Sequence, residues 1–369
     1  MHVPDGFINA PVSAAAGVVA ATAVAVSLRG ARRELAGTSR PSEAGSGAER
    51  TAPLAGLVAA FIFAVQMLNF PVAAGTSGHL LGGALAAILV GPFTGVLCVS
   101  VVLLMQGILF ADGGLTALGV NITNMAVVTT VVAYAVFRGL VKLLPRKRRS
   151  ITVSAFVAAV ISVPAAAVAF TLIYAIGGTT DVPIGQVFTA MVGVHVLIGI
   201  GEAAITALTV GAVIAVRPDL VYGARGLSTP LKLRVNGELV DTPAAEPVPV
   251  AARSHRRVWL AGLATSLVLA GFVSFYASAN PDGLEKVASD KGIDAKAEDH
   301  SAADSPLADY GVEGLTNSRL SGGLAGVIGV GATVVAGTGV FWAVRRRRTP
   351  EDPSSDAPST SGSQLGESV

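Results

Sequence analysis

The chain has 369 residues, of which 52% are hydrophobic and only 14% charged, and its formal net charge is +2. Soluble domains carry about a quarter of their residues as charged side chains, so this composition excludes a soluble globular protein, and the small net charge argues against a nucleic-acid partner. The single cysteine, Cys98, excludes an internal disulfide and any cysteine metal cluster.

The chain opens Met1-His2-Val3-Pro4-Asp5-Gly6. An α-amine followed by histidine at position two is a chelating sequence, because the amine, the His2 backbone nitrogen and the His2 imidazole can close adjacent small rings on one ion. Pro4 ends the run of amide nitrogens, since proline has no N–H. Nitrogen donors in a plane suit Ni(II), Cu(II) and Co(II) rather than Mg(II) or Ca(II). The first apolar run has no positive residues before it; Arg29, Arg32 and Arg33 follow it. That is the reverse of a cleavable signal, so the initiator amine is expected to be retained.

Apolar runs predict helices at about 8–28, 53–69, 79–90, 92–111, 117–140, 151–176, 185–216, 257–278 and 321–344. Basic residues cluster at Arg29 to Arg50, Lys142 to Arg149, Arg217 to Arg257 and Arg345 to Arg348. The positive-inside rule places all four clusters in the cytoplasm, and an even number of runs separates each pair. The fold class is therefore all-α: a polytopic membrane helix bundle of about seven spans plus two further spans. The N-terminus is expected outside and the C-terminus in the cytoplasm, with the cell membrane as the location. Residues 1–216 are expected to form the main transmembrane domain. Residues 217–256 read as a cytoplasmic linker, 257–345 as a two-span module with an outer loop, and 346–369 as a disordered tail. Segment 30–52, rich in Gly and Ser, reads as a flexible loop.

His79 begins the third run, within Gly75-Thr76-Ser77-Gly78-His79-Leu80-Leu81-Gly82-Gly83, on the same side of the membrane as Met1. Alone, a histidine at a membrane boundary is more often an interfacial or hydrogen-bonding residue than a ligand. Asn69, Asn121 and Asn124 lie in or near spans and could orient metal-binding histidines, or else bond between helices; Asn121 and Asn124 share a helix face at i,i+3. His195 and Glu202, seven apart, face one side of the seventh run. They could form a proton or metal relay, or simply an interhelical polar pair. No G-x-x-x-x-G-K-[ST] phosphate loop is present, so any ATP hydrolysis must come from another chain.

The stretches MHVPDGF, HLLGGALAAILVGP (79–92) and NITN (121–124) resemble the substrate-binding component of cobalt and nickel energy-coupling-factor transporters, the CbiM/NikM type, over residues 1 to about 216. Asn280-Pro281-Asp282-Gly283-Leu284-Glu285, flanked by spans, resembles the PDGLE-type auxiliary component (CbiN/NikN-like) over about 257–345, here fused to the first. The resemblance implies that the N-terminal segment tucks into the bundle. It also implies that the Met1 amine, the His2 nitrogens and the His79 imidazole hold the ion. The cargo would be Co(II) or Ni(II), for cobalamin synthesis or nickel enzymes, with no permanently bound cofactor and no catalytic residues of its own. The implied partners are a transmembrane coupling subunit and a pair of cytoplasmic ATPases. The PDGLE residues Asp282 and Glu285 are expected to be structural, with Asp282 capping a helix that begins at Gly283. A gradient-driven metal permease is the alternative, and it would need the His195–Glu202 relay. A membrane metalloenzyme would need a compact three-ligand motif, which the sequence lacks. Both histidines must be neutral to bind metal, so affinity is expected to fall as pH drops through the imidazole range near 6.5.

Overall fold

The structure is a computed structural model and describes residues 1–36, 51–73, 75–225, 232–235, 238–241 and 256–346. Seven described helices are long and apolar enough to cross a bilayer: Ala10–Leu35, Pro92–Leu109, Leu118–Leu143, Arg148–Gly177, Ile184–Val216, Arg256–Tyr276 and Ser318–Val344. A shorter apolar helix covers Pro53–Gln66.

Helix α1 (Ala10–Ala36) starts where the Asn9 side chain accepts from Val12 N at 3.1 Å, satisfying one of the unpaired donors of its first turn. It continues through residues 30–36, part of the segment expected as a loop. The cause is packing, since Ala31, Glu34 and Leu35 are buried. The rest of that loop, most of the expected linker and the expected tail lie outside the described residues. After α2 (Thr51–Gln66), the strands β1 (Phe70–Ala73) and β2 (Thr76–Gly78) form an antiparallel hairpin.

The run expected as a helix over 79–90 is only partly helical. Residues 79–82 belong to neither helix nor strand, and α3 begins at Gly83 and ends at Val90. Gly82 holds φ at +90°, a conformation that costs glycine little. Non-helical backbone survives at membrane depth only where protein buries it and pairs its polar groups. Residues 79–91 are all buried, and the Glu202 carboxylate accepts from Leu81 N at 2.6 Å and Gly82 N at 3.2 Å. The segment still runs from the level of Met1, which meets His79, to the far end of α1, where Gly91 lies against Glu34.

Gly91, beside Glu34, leads into α4 (Pro92–Leu109). Proline at the first position suits a helix start, and Glu34 accepts from Phe93 N, Thr94 N and Thr94 Oγ1. Then come α5 (Leu118–Asn121), a π-helical segment (Ile122–Val128) and α6 (Thr129–Leu143), followed by the long α7 (Arg148–Gly177), with Pro164 inside it, and α8 (Ile184–Val216). A second hairpin pairs β3 (Lys232–Val235) with β4 (Glu238–Asp241). The C-terminal part holds α9 (Arg256–Gly271), α10 (Gly283–Lys291) and α11 (Ser318–Arg346). Helix α11 packs along α2, where Gly337 meets Gly56 closely enough that an added Cβ would come within 3.1 Å of its Cα. Small residues at such crossings let helix backbones approach. Arg29 to Arg33, Lys142 to Arg149, Arg217 and Arg256 all fall at one end of the bundle. The N-terminal segment, the β1–β2 hairpin and α10 fall at the other.

Candidate metal-capture site

Residues 1–9 form no helix and are threaded into the bundle, with Met1, Val3 and Phe7 buried. Asn121 grips Val3 at two points, accepting from Val3 N at 2.7 Å and donating to Val3 O at 3.1 Å. Asp5 accepts from Thr116 N at 2.8 Å and Leu115 N at 3.3 Å. Glu298 N donates to Asp5 O at 3.0 Å, and Thr179 Oγ1 donates to Gly6 O at 2.7 Å. Every one of these bonds spans a long stretch of sequence, so the opening segment is held by tertiary structure alone.

This threading brings the Met1 amine to 2.5 Å from His79 Nε2. The His2 and His79 rings stack with centroids 5.0 Å apart. His79 Nδ1 lies 3.0 Å from Leu80 O. A carbonyl can only accept, so Nδ1 carries the proton and Nε2 presents its lone pair.

The His2 tautomer follows from a closed ring of four residues. The Asp112 carboxylate can only accept, so Tyr310 OH donates to Asp112 Oδ2 at 2.6 Å. Tyr310 oxygen then accepts from Gln106 Nε2 at 2.9 Å. That turns the Gln106 carbonyl oxygen toward His2 Nε2 at 3.1 Å, which must therefore carry its hydrogen. In the neutral ring, Nδ1 is left with its lone pair, 3.2 Å from Asp112 Oδ1. Nδ1 is also the imidazole atom that can chelate together with the backbone nitrogen of the same residue. Burial pushes the His2 imidazole down to about 4, outweighing the opposite pull of Asp112, so His2 is neutral and ready to bind through the physiological range.

Asp282 is the residue whose position departs most from the sequence reading. It does cap α10: Oδ1 accepts from Leu284 N at 2.7 Å and Glu285 N at 2.8 Å, while Glu285 Oε2 accepts from Asp282 N at 2.8 Å. This is a reciprocal capping box. Its other oxygen, Oδ2, lies 2.6 Å from the Met1 amine and 3.4 Å from His79 Nε2. Burial favours the neutral carboxyl, yet the Met1 ammonium beside it holds Asp282 well below the usual carboxylate range. His2, His79 and Asp282 each bring one donor atom within 4.8 Å of the others. A cavity of about 550 Å³ opens beside them, lined by Asp112, Glu285, Glu298 and His300 among others.

The other expected residues divide. Asn121 orients the opening segment through Val3 rather than through a histidine. Asn69 lines the cavity, and its backbone carbonyl accepts from Ser278 N at 2.7 Å. Asn124 is fully buried, and its amide has no hydrogen-bond partner among the described residues. The π-helical turn, with its i→i+5 bonding, departs from the α-helical period on which the shared Asn121–Asn124 face rests. His195 and Glu202 are not joined among the described residues: His195 Nδ1 pairs with Met191 O at 2.7 Å, and both Glu202 oxygens serve Leu81 and Gly82. Met1, His2 and His79 come together as expected, whereas Asp112, Gln106 and Tyr310 were not expected at the site. One sequence signal for such roles is the repeated Pro-Asp-Gly at 4–6 and 281–283, whose aspartates both accept from backbone N–H groups.

The family model described as the cobalt uptake substrate-specific transmembrane region matches residues 2–220, and that of the PDGLE domain matches residues 256–346. A protein of Haloquadratum walsbyi whose name describes metal transport is 40% identical over 224 residues, 60% of this chain and 94% of that protein. One of Archaeoglobus fulgidus, whose name describes fused nickel transport, is 35% identical over 221 residues, 60% of this chain and 68% of that protein. A cobalt transport protein of Geobacter sulfurreducens is 35% identical over 174 residues, 46% of this chain and 49% of that protein.

Proposed function

Because the chain belongs to the CbiM family of cobalt-uptake substrate-specific transmembrane proteins and carries a PDGLE domain behind that region, we propose that it is the metal-capturing component of an ATP-driven importer for Co(II) or Ni(II). It is a multi-pass membrane protein and a transport component rather than an enzyme. The ion is taken at the end of the bundle that carries the N-terminal segment, which faces outward. The basic end faces the cytoplasm, in keeping with the positive-inside rule. Residues 1–216 form the capturing domain, and 217–256 connect it to the two-span PDGLE module at 257–345.

The observation that carries this reading is the meeting of the Met1 amine with His79 Nε2 at 2.5 Å across 78 positions of sequence. The donors are the Met1 amine, the His2 backbone nitrogen and Nδ1, and His79 Nε2. Binding exchanges the ammonium's extra proton for the ion, and a further proton leaves if the His2 amide is metallated. With no phosphate loop in the chain, energy comes from a pair of cytoplasmic ATPases acting through a transmembrane coupling subunit. Ala14, Ala15 and Ala21, exposed on α1, offer a smooth face to such a partner, while Ala16 and Ala20 pack inside the chain.

Radiometal binding and uptake test this, with His2→Ala, His79→Ala and one residue inserted before Met1. Each change is expected to abolish capture. Uptake that survives the insertion refutes the amine ligand, and uptake by this chain without ATPases favours a gradient-driven permease.

A further inference from the structure

We propose that Asp282, from the second module, is a direct oxygen ligand to the captured ion, so that the fused chain completes a set of nitrogen donors with one carboxylate. This rests on the reading that Met1, His2 and His79 hold the metal.

The carboxylate is divided between two tasks. Oδ1 is engaged by Leu284 N and Glu285 N, which fixes the side chain against α10. Oδ2 takes no part in the cap and points at the donors of the opening segment and of His79. The separations among the Met1 amine, His79 Nε2 and Asp282 Oδ2 are 2.5, 2.6 and 3.4 Å. A single point can lie about 2.0–2.2 Å from all three, the range of metal–nitrogen and metal–carboxylate bonds. The carboxylate therefore stands at bonding distance from an ion held by the amine and the imidazole.

The motif is also anchored from the His79 side. Ser77 N and Ser77 Oγ donate to Pro281 O and Asn280 O, at 2.8 Å each. The strand that delivers His79 thus fixes the turn that delivers Asp282. A ligand whose rotamer is set by a cap on one side and a strand contact on the other needs little reorganisation on binding.

Charge is conserved in the exchange. In the metal-free site, one carboxylate faces one ammonium. When the dication arrives, the ammonium loses a proton to water and its nitrogen lone pair binds the metal, while Oδ2 passes from the ammonium to the metal. The carboxylate thus offsets one positive charge of the buried ion, which apolar surroundings would otherwise strongly disfavour. A fifth donor also changes the ligand field. Four nitrogens in a plane make Ni(II) low-spin and diamagnetic, whereas an added axial oxygen favours the high-spin, paramagnetic form.

The test uses the full chain in detergent, loaded with Ni(II). It reads affinity by chelator competition, magnetic state, and the first coordination sphere by X-ray absorption. Asp282→Asn and Asp282→Ser both keep a residue that caps helices well, and serine is too short to reach the ion. The expected result is a paramagnetic, five-donor Ni(II) in the unaltered chain. In both variants, affinity should fall roughly 10- to 100-fold, the range seen when a supporting group of a metal site is lost, and the ion should move toward four-nitrogen, diamagnetic coordination. A planar, four-nitrogen ion in the unaltered chain, or spectra that neither substitution changes, overturns the inference even if affinity drops. If His2→Ala abolishes binding while the Asp282 variants leave the coordination unchanged, only this inference fails. If the unaltered chain binds neither Ni(II) nor Co(II), the capture reading fails with it.

Discussion

The site is a set of constraints on single protons. His2 reaches the tautomer that leaves Nδ1 its lone pair because Asp112, Tyr310 and Gln106 each leave the next residue one hydrogen-bonding role. Tyr310→Phe keeps the ring stacked on Phe110, whose centroid is 4.8 Å away, but frees the Gln106 amide to turn. The expected outcome is a 10- to 100-fold loss in Ni(II) or Co(II) affinity with little change in thermal stability, measured on the same detergent preparation. pH gives a second prediction. An undocked His2 takes its proton near 6.5, whereas the docked residue is held down to about 4 by burial. Because the docked form has the lower value, its advantage is complete above pH 6.5 and shrinks as pH falls toward 4. Hydrogen exchange of the amides of residues 2, 3 and 5–8, corrected for intrinsic rate, should show constant protection above pH 6.5 and decline below it; a flat profile contradicts the assignment. The contribution of His2 to binding is thus expected to fail near pH 4, rather than near 6.5 as an exposed imidazole would suggest. Of this ring, the sequence shows His2 plainly, because its position beside the amine is covalent. Asp112, Gln106 and Tyr310 are unreadable as a group, since 204 residues separate Gln106 from Tyr310 and only folding brings them together.

Among the elements, the break at residues 79–82 decides most. It puts His79 on irregular chain in place of a helix, and the buried N–H groups left without a helical partner fall to Glu202. Glu202→Ala would leave two buried donors without a partner. Each such donor costs about 1–3 kcal/mol, so a loss of about 2–6 kcal/mol is expected, read as a lower thermal midpoint. Glu202→Gln, which keeps one acceptor oxygen, should fall in between. A relay role predicts instead that Glu202→Gln stays stable while transport stops. Hydropathy marks the whole run 79–90 as apolar and so cannot separate irregular backbone from helix, because both are equally buried. Gly82-Gly83 is the local signal of the break, legible only once the carboxylate that pairs with it is known. The Asp282 cap, by contrast, is local chemistry spanning four residues, and the Pro-Asp-Gly-Leu-Glu sequence states it in full.

At the scale of the whole molecule, residues of the two modules meet around Met1, His79 and Asp282. Besides α11 lying along α2, the segment after α10 crosses the N-terminal chain at Gly6 and Asp5. Ser305 Oγ donates to Leu109 O at 2.7 Å, and His300 Nε2 lies 3.2 Å from Gly113 O. These contacts are therefore expected to hold the modules together without the covalent link. With a protease site inserted within residues 242–250, cleavage should yield two fragments that co-purify in mild detergent and still bind metal; separation on nicking refutes it. Of the nine apolar runs expected as spans, seven are described helices long enough to cross a bilayer; these and the two-module order were legible because burial in lipid demands long apolar runs. The closure of one module over the other was not, because polar loops carry no comparable periodic signal.

The chamber beside the donors has one consequence for how a dication gets there. A volume of about 550 Å³ has room for on the order of ten waters or more, enough for an ion to arrive still wearing its hydration sphere. If the proposed donors hold the ion, waters can be traded for them one at a time, so that no stage of capture leaves a bare double charge among apolar side chains.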